Sequence, residues 1–221
     1  MIRLSPTVRL FCLFLVAGLI LGCTIVRHDE ETNGDSNALT IYFDDGTFNA
    51  KLYVDSVWEE QVLPRLKSEA VELNRLLEEL ARDPGAAIKA YGYRIEVTAP
   101  FNFMVKGKAR ISEVNLESAA ATVSLDKTGP DSNPVQIQIG PVLKGTAIRD
   151  SMDFISFEDF TNQLEFANVS REMNNLIKEQ LLTSLDRESL EDSTIEFLGA
   201  FQWVEGQGIL ITPVQLRIGG E

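Results

Sequence analysis

The chain has 221 residues, 33 acidic against 20 basic side chains, a formal net charge of -13 and 44% hydrophobic content. That length permits one large domain or two small ones, and the composition excludes a collagen-like or wholly disordered chain. The acidity argues against a dedicated nucleic-acid binder, which needs clustered Lys and Arg, and two Cys with one His leave little for metal or thiol chemistry.

The N-terminus reads MIRLSPTVRLFCLFLVAGLILGC. Arg3 and Arg9 form a short positive region. The apolar run from Leu10 to Leu21 is too short for a spanning helix of about 20 residues. Small Gly22 precedes Cys23, so the segment has the three-part layout of a bacterial export signal. Ile20-Leu21-Gly22-Cys23 also resembles a lipobox, the cleavage site of bacterial lipoproteins. That resemblance implies cleavage between Gly22 and Cys23 and diacylglycerol on the Cys23 thiol. The removed segment carries two arginines and no acid, so the net charge of the mature chain moves from -13 to -15. Cys12 leaves with the signal, and the exported domain keeps neither a free thiol nor a disulfide. Acyl chains contribute about 0.8 kcal/mol per buried methylene, and two or three hold a protein durably on a bilayer. The expected location is the bacterial envelope, lipid-anchored and facing the periplasm or the exterior.

Residues 23–39 are polar and aperiodic and read as a lipidated tether. His28, the only histidine, sits in this tether, which argues against a His-based triad or a His-ligated metal in the folded domain. Asp44-Asp45-Gly46 signals a turn. Ser56 and Glu59 match a capping box, and Pro64 suits the first turn of a helix. Leu66, Ala70, Leu73, Leu77 and Leu80 then fall on one helical face. Asp83 can cap, and Pro84 can begin, a short helix ending at Gly92. Residues 40–92 are therefore expected to form a small helical subdomain.

From Tyr93 the apolar period becomes two. Strands are expected at Tyr93–Val97, Phe101–Val105, Ala109–Leu116, Ala120–Leu125 and Val135–Ile139. The alternation from Val135 to Ile139 predicts one apolar and one wet face. Phe166, Val169, Met173, Leu176 and Ile177 keep helical spacing to about Leu182. Strands at Thr194–Val204 and Ile209–Ile218 close the chain. Three strands, a helix and two strands is the connectivity of an OB-type barrel. The expected fold class is α+β: the helical subdomain, then an OB-like β-barrel over residues 93–221 with one helix inserted before the last two strands. A meander sheet with helices on one side is the rival.

Gly140 to Thr146 fails as a phosphate loop, because Lys144 precedes the second glycine and no helix follows the strand in the required register. Lys89, Arg94, Lys106, Lys108 and Arg110 lie among Tyr91, Tyr93, Phe101 and Phe103. On an OB-like face such residues can stack bases; alternatively the aromatics point inward and the cations balance an acidic protein. The acids between Asp150 and Glu196 read as a solvated face, with paired carboxylates for glycan hydrolysis as the alternative. No catalytic residue, metal ligand or cofactor is assigned.

The most distinctive stretch is GPVLKGTAIRD (140–150) with FTNQLEFANV (160–169). Lys144, Thr146, Arg149, Asp150, Thr161, Asn162 and Gln163 form a candidate polar cluster. Partly buried polar groups need partners. They can lock the sheet to the helix or line a ligand pocket. These motifs, with VDSVWEEQVLPRLKSEAVEL (54–73), YGYR (91–94), FNFMVKGKARI (101–111), GAFQW (199–203) and ITPVQL (211–216), resemble a bacterial family of predicted periplasmic lipoproteins of unknown function. The resemblance implies a helical subdomain joined to an OB-like one, and an accessory role beside sugar ABC-transport systems. The expected partners are the membrane, through the lipid, and either transporter components or envelope carbohydrate, with no nucleic acid. The expected function is a non-catalytic accessory or binding lipoprotein; the alternative is a carboxylate-dependent enzyme acting on an envelope glycan.

Overall fold

The computed structural model describes residues 48–126, 134–187 and 189–219. The signal, Cys23, the tether and the turn at Asp44–Gly46 lie outside them. The first helix, α1 (Ala50–Val57), is capped by Asn49, whose side-chain oxygen accepts from the Leu52 N–H at 3.0 Å. The capping box expected at Ser56 and Glu59 does not form. Ser56 lies inside α1 and its hydroxyl donates to the Tyr53 carbonyl at 2.7 Å. Asn49, two turns upstream, has already satisfied an orphan amide.

A π turn at Trp58–Val62 joins α1 to α2 (Leu63–Glu69). In a regular helix Pro64 would lack a donor and collide with the carbonyl four residues back. The wider turn directly before it absorbs that misfit. Ala70 then adopts an extended backbone (φ -64°, ψ 127°). The chain forms the two-residue strand β1 (Val71–Glu72) before α3 (Leu73–Arg82). The single apolar face read from Leu66 to Leu80 is thereby cut in two, and Leu76, not Leu77, is fully buried. Asp83 caps α4 (Pro84–Tyr91) as expected, accepting from the Ala86 N–H at 3.0 Å.

The strand expected at Tyr93–Val97 is absent. Only Tyr93 pairs, with Asn102, and the chain then turns. The Arg94 guanidinium closes this turn: it donates to the Val97 carbonyl at 2.6 Å and lies 4.7 Å over the Phe101 ring. The two strands expected from Phe101 to Leu116 are one, β2 (Phe101–Asn115). Gly107 does not interrupt it, because the Phe197 ring of the paired strand occupies the space a side chain would take. After β3 (Thr122–Leu125) and β4 (Val135–Gln138) come α5 (Ala147–Asp150), a 3-10 turn at Phe157–Asp159 and α6 (Gln163–Ile177). A π turn at Lys178–Leu182 leads toward β5 (Thr194–Trp203) and β6 (Ile209–Gly219).

The strands make two half-sheets that share members. In one, β1 runs parallel to β2, Phe101–Arg110 of β2 is antiparallel to β5, and β5 is antiparallel to β6. In the other, Ile111–Asn115 of β2 pairs with β3, β3 with β4, and β4 runs parallel to Ile209–Ile211 of β6. A bulge in β2 at Ile111/Glu113, and one in β6 at Val214 opposite Leu198/Gly199, bend these strands near where they change partner. A Cβ at Gly199 would lie 2.3 Å from the Thr212 carbonyl oxygen, so the β6 bulge requires glycine opposite it. The neighbour order β2–β3–β4–β6–β5–β2 is that of an OB fold, with β1 added at the edge. The β4–β6 seam is only Val135–Ile137 against Ile209–Ile211. The six-stranded sheet is thus the OB-like arrangement expected, partly open and not a fully closed barrel.

Two cores lie on the two faces of the first half-sheet. One joins Val54, Trp58 and Leu66 of the leading helices to Ile148, Val169, Met173, Leu198 and Ala200. The other fills the OB interior with Phe103, Val105, Ile137, Ile195, Phe201 and Ile211, and takes Leu73, Leu76 and Leu80 of α3 at its end. The described residues all fall in one compact unit.

Candidate functional site

The polar residues singled out in the sequence resolve into two knots. In the first, Arg149 and Asp150 are both buried. The Arg149 Nε and Nη2 lie 2.8 and 2.6 Å from Asp150 Oδ1. The Thr146 hydroxyl donates to Asp150 Oδ2 at 2.5 Å, and Arg149 Nη1 donates to the Phe166 carbonyl at 2.9 Å. The guanidinium lies 3.6 Å over the Phe166 ring, a cation–π contact. Helix α5 supplies the ion pair and α6 supplies the carbonyl and the ring, so the knot ties these two helices. Buried Asn102 of β2 adds a contact to the Asp150 carbonyl at 3.4 Å, while its own Oδ1 has no partner among the described residues.

The second knot is the start of α6. The Asn162 side chain accepts from the Glu165 N–H at 3.0 Å, and Glu165 Oε2 accepts from the Thr161 N–H at 3.0 Å. This is a reciprocal helix cap. Glu165 is buried with it. Gln163 is exposed beside it. Lys144 joins neither knot; its backbone N–H and carbonyl bond the Gln138 side chain at 2.7 and 3.0 Å.

Gln138, Thr212, Asn102 and Glu165 are polar residues that sequence reasoning did not single out. Gln138 stands on the face of β4 expected to be wet, yet it is 2% exposed. Its amide donates to the Thr212 hydroxyl at 2.8 Å as well as holding Lys144. The loop after β4 folds back over that face, which alternation along one strand does not disclose.

Of the acids between Asp150 and Glu196, several hold the fold together. Asp153 pairs with Arg65 at 2.7 Å and Asp192 with Arg110 at 2.8 Å. Asp159 accepts from the Ser156 N–H at 2.9 Å. Asp55, Glu172 and Glu179 line a crevice of about 70 Å³, with Asp55 tied to Lys51 at 2.8 Å. Among the described residues, no group of three or more His, Cys, Asp or Glu is placed to hold a metal. No helix among them is long and apolar enough to cross a membrane.

The basic and aromatic residues of 89–110 separate. Phe103 is in the core, stacked on Phe201 at 5.6 Å. Phe101 is covered by Arg94, and the Tyr91 hydroxyl accepts from Arg75 at 2.8 Å. On the β3–β4 face, where OB folds take nucleic acid, Thr122, Ser124 and Gln136 are half-buried and no aromatic stands in either strand. Lys106 instead lines a groove of about 180 Å³ on the other half-sheet, with Lys67, Glu196, Leu198, Gln215 and Arg217.

Comparison with known proteins agrees with this architecture. An OB-fold protein from Thermotoga maritima, known from a 1.90 Å crystal structure, superposes with a TM-score of 0.63 at 18% identity, over 78% of this chain and 99% of that one. No curated protein matches the sequence. The family described as "predicted periplasmic lipoprotein (DUF2291)" matches residues 13–217, a span that includes both knots, the groove and Cys23. The chain therefore belongs to the predicted periplasmic lipoprotein family DUF2291, whose function is unknown.

Proposed function

We propose that this protein is a lipid-anchored, non-catalytic binding or accessory protein of the bacterial envelope. In this reading, signal residues 1–22 are removed and Cys23 carries the lipid. The observation that carries the non-catalytic part is the engagement of the buried polar residues. Asp150 is held by Arg149 and Thr146, and Glu165 by the Thr161 amide. A general acid or base must reach a substrate proton, and these carboxylates face their own chain. The anchor is supported by the sequence around Cys23 and by the family to which the chain belongs.

Cells fed labelled palmitate are expected to incorporate label into the wild-type chain and none into Cys23→Ala. The mature wild-type product is expected to begin at Cys23. Label retained by the Cys23→Ala chain, or a wild-type product still bearing its first residues, overturns the anchor.

The finer part of the reading, service to a sugar ABC-transport system, rests on the family resemblance of the motifs from Val54 to Leu216. Crosslinking in cells followed by mass spectrometry is expected to return transporter components or their sugar-binding protein. A crosslinked set without either refutes that link and leaves the anchor untouched.

A further inference from the structure

The protein is acidic, and its structure spends many of its cations on internal pairing. Lys51, Arg65, Arg75, Arg110 and Arg149 are all in ion pairs. Arg94 and Arg187 donate to backbone carbonyls. Lys67, Lys106 and Arg217 have neither an ion pair nor a side-chain hydrogen bond to any described residue, yet all three line one groove of about 180 Å³.

The fold brings them together. On β2, β5 and β6 the pair Met104–Ala200 lies beneath the helices in the first core. One strand step along the same face comes the row Lys106–Leu198–Gln215, and one step further the row Lys108–Glu196–Arg217. Helix α2 ends at Glu69, and the next residue, Ala70, packs with Met104 and Leu198 in the first core. Lys67, in its last turn, closes the groove from above. Buried Leu198 contributes an apolar floor. Glu196 is the one carboxylate in the lining, so three cations and one anion leave a local excess of two positive charges.

We infer that this groove is a binding site for a small, soluble phosphate monoester. Such a group carries about -1.5 to -2 charge at neutral pH and three strong acceptor oxygens. It therefore matches both the charge excess and the three donors, of which Arg217 can bind two oxygens at once. The volume is below the roughly 300–1,000 Å³ of drug-sized pockets, which restricts the ligand to the phosphate and a few neighbouring atoms. A soluble ligand is favoured over a bilayer headgroup, because the site is concave on a body of net charge -13 that an anionic surface repels. The site does not depend on the lipid at Cys23, so the two readings fail separately.

The test uses the full chain in nonionic detergent, with glycerol 3-phosphate followed by calorimetry. Saturable binding is expected, with acetate binding far more weakly. Lys106→Glu with Arg217→Glu should raise Kd at least about tenfold, equivalent to about 1.4 kcal/mol. Lys89→Glu with Lys178→Glu, the same charge change elsewhere, should leave Kd unchanged. Glu196→Gln should tighten binding of inorganic phosphate by removing a repulsive neighbour. Matching thermal melts establish that the variants are folded. The inference is overturned by no saturation at millimolar ligand, by equal weakening in the control pair, or by binding only to phosphatidylglycerol vesicles.

Discussion

Asp150 holds the buried ion pair in place through two different partners, the Arg149 guanidinium and the Thr146 hydroxyl. Removing one member of a buried pair leaves the other charge desolvated and unpaired, which costs about 3–5 kcal/mol. Asp150→Ala is therefore expected to lower unfolding stability by that amount in urea titration, and Asp150→Asn by less, since it keeps an acceptor. Gln163→Ala, exposed at the same helix entrance, is expected to change stability little. Equal losses for Asp150→Ala and Gln163→Ala would show that the ion pair is not what ties α5 to α6. Tyr53 offers a second measurement. Its hydroxyl is pushed above the ordinary value of 10.0 first by burial and then by Asp159. A raised folded value means this contribution to stability is complete below the unfolded value and is lost as pH rises through the folded one. Near-ultraviolet phenolate absorbance should accordingly show Tyr53 titrating late, and Tyr53→Phe should flatten the alkaline loss of stability.

At the scale of elements, local backbone chemistry decides where helices and strands begin and bend. Asn49 caps α1, and Asn49→Ala should cost about 1 kcal/mol, whereas Ser56→Ala should cost much less because Ser56 caps nothing. Gly199 of β5 faces the bulge in β6, and a Cβ added there would lie 2.3 Å from the Thr212 carbonyl oxygen. Gly199→Ala must displace backbone of β6 and should cost at least the roughly 1–3 kcal/mol typical of overpacking, seen as a lowered melting temperature. The helix α4 with its Asp83 cap and the order of strands and inserted helix were legible because capping and period-two alternation are local signals. The π turn before Pro64, the two-residue β1 and the continuity of β2 through Gly107 were not. The last two depend on tertiary partners, β1 on Val105 and Lys106 and Gly107 on the Phe197 ring, while the π turn is one of several ways a chain can absorb Pro64. The candidate polar residues were legible as a set, but their division into an ion-pair knot, a helix cap and an uninvolved Lys144 side chain needed the fold. Gln138 was missed for the same reason, since its partner Thr212 is 74 residues away.

The whole molecule raises the question of how independent its helical and β-rich portions are. Residues of 40–92 enter both cores: Trp58 and Leu66 pack with α5, α6 and one face of the half-sheet, while Leu73, Leu76 and Leu80 close the OB interior. The half-sheet is thus apolar on both faces where the helices cover it. Removing the helices would expose the Leu198–Ala200 face and uncover one end of the Phe103–Phe201 interior together. Apolar burial is worth about 25 cal/mol per Å², so neither portion keeps a complete core without the other. The expected consequence is a single cooperative unfolding transition. The chain supplies its own reporters, because it has two tryptophans. Trp58 is buried among the leading helices, and Trp203 closes β5 with its ring 6.4 Å from Phe103. The variants Trp58→Phe and Trp203→Phe each leave one of these. Their urea midpoints by fluorescence should each coincide with the same variant's midpoint by far-ultraviolet circular dichroism. A Trp58 signal that moves at lower urea than the circular dichroism of the same variant would mean that the helices detach first, and that the shared half-sheet stands without them.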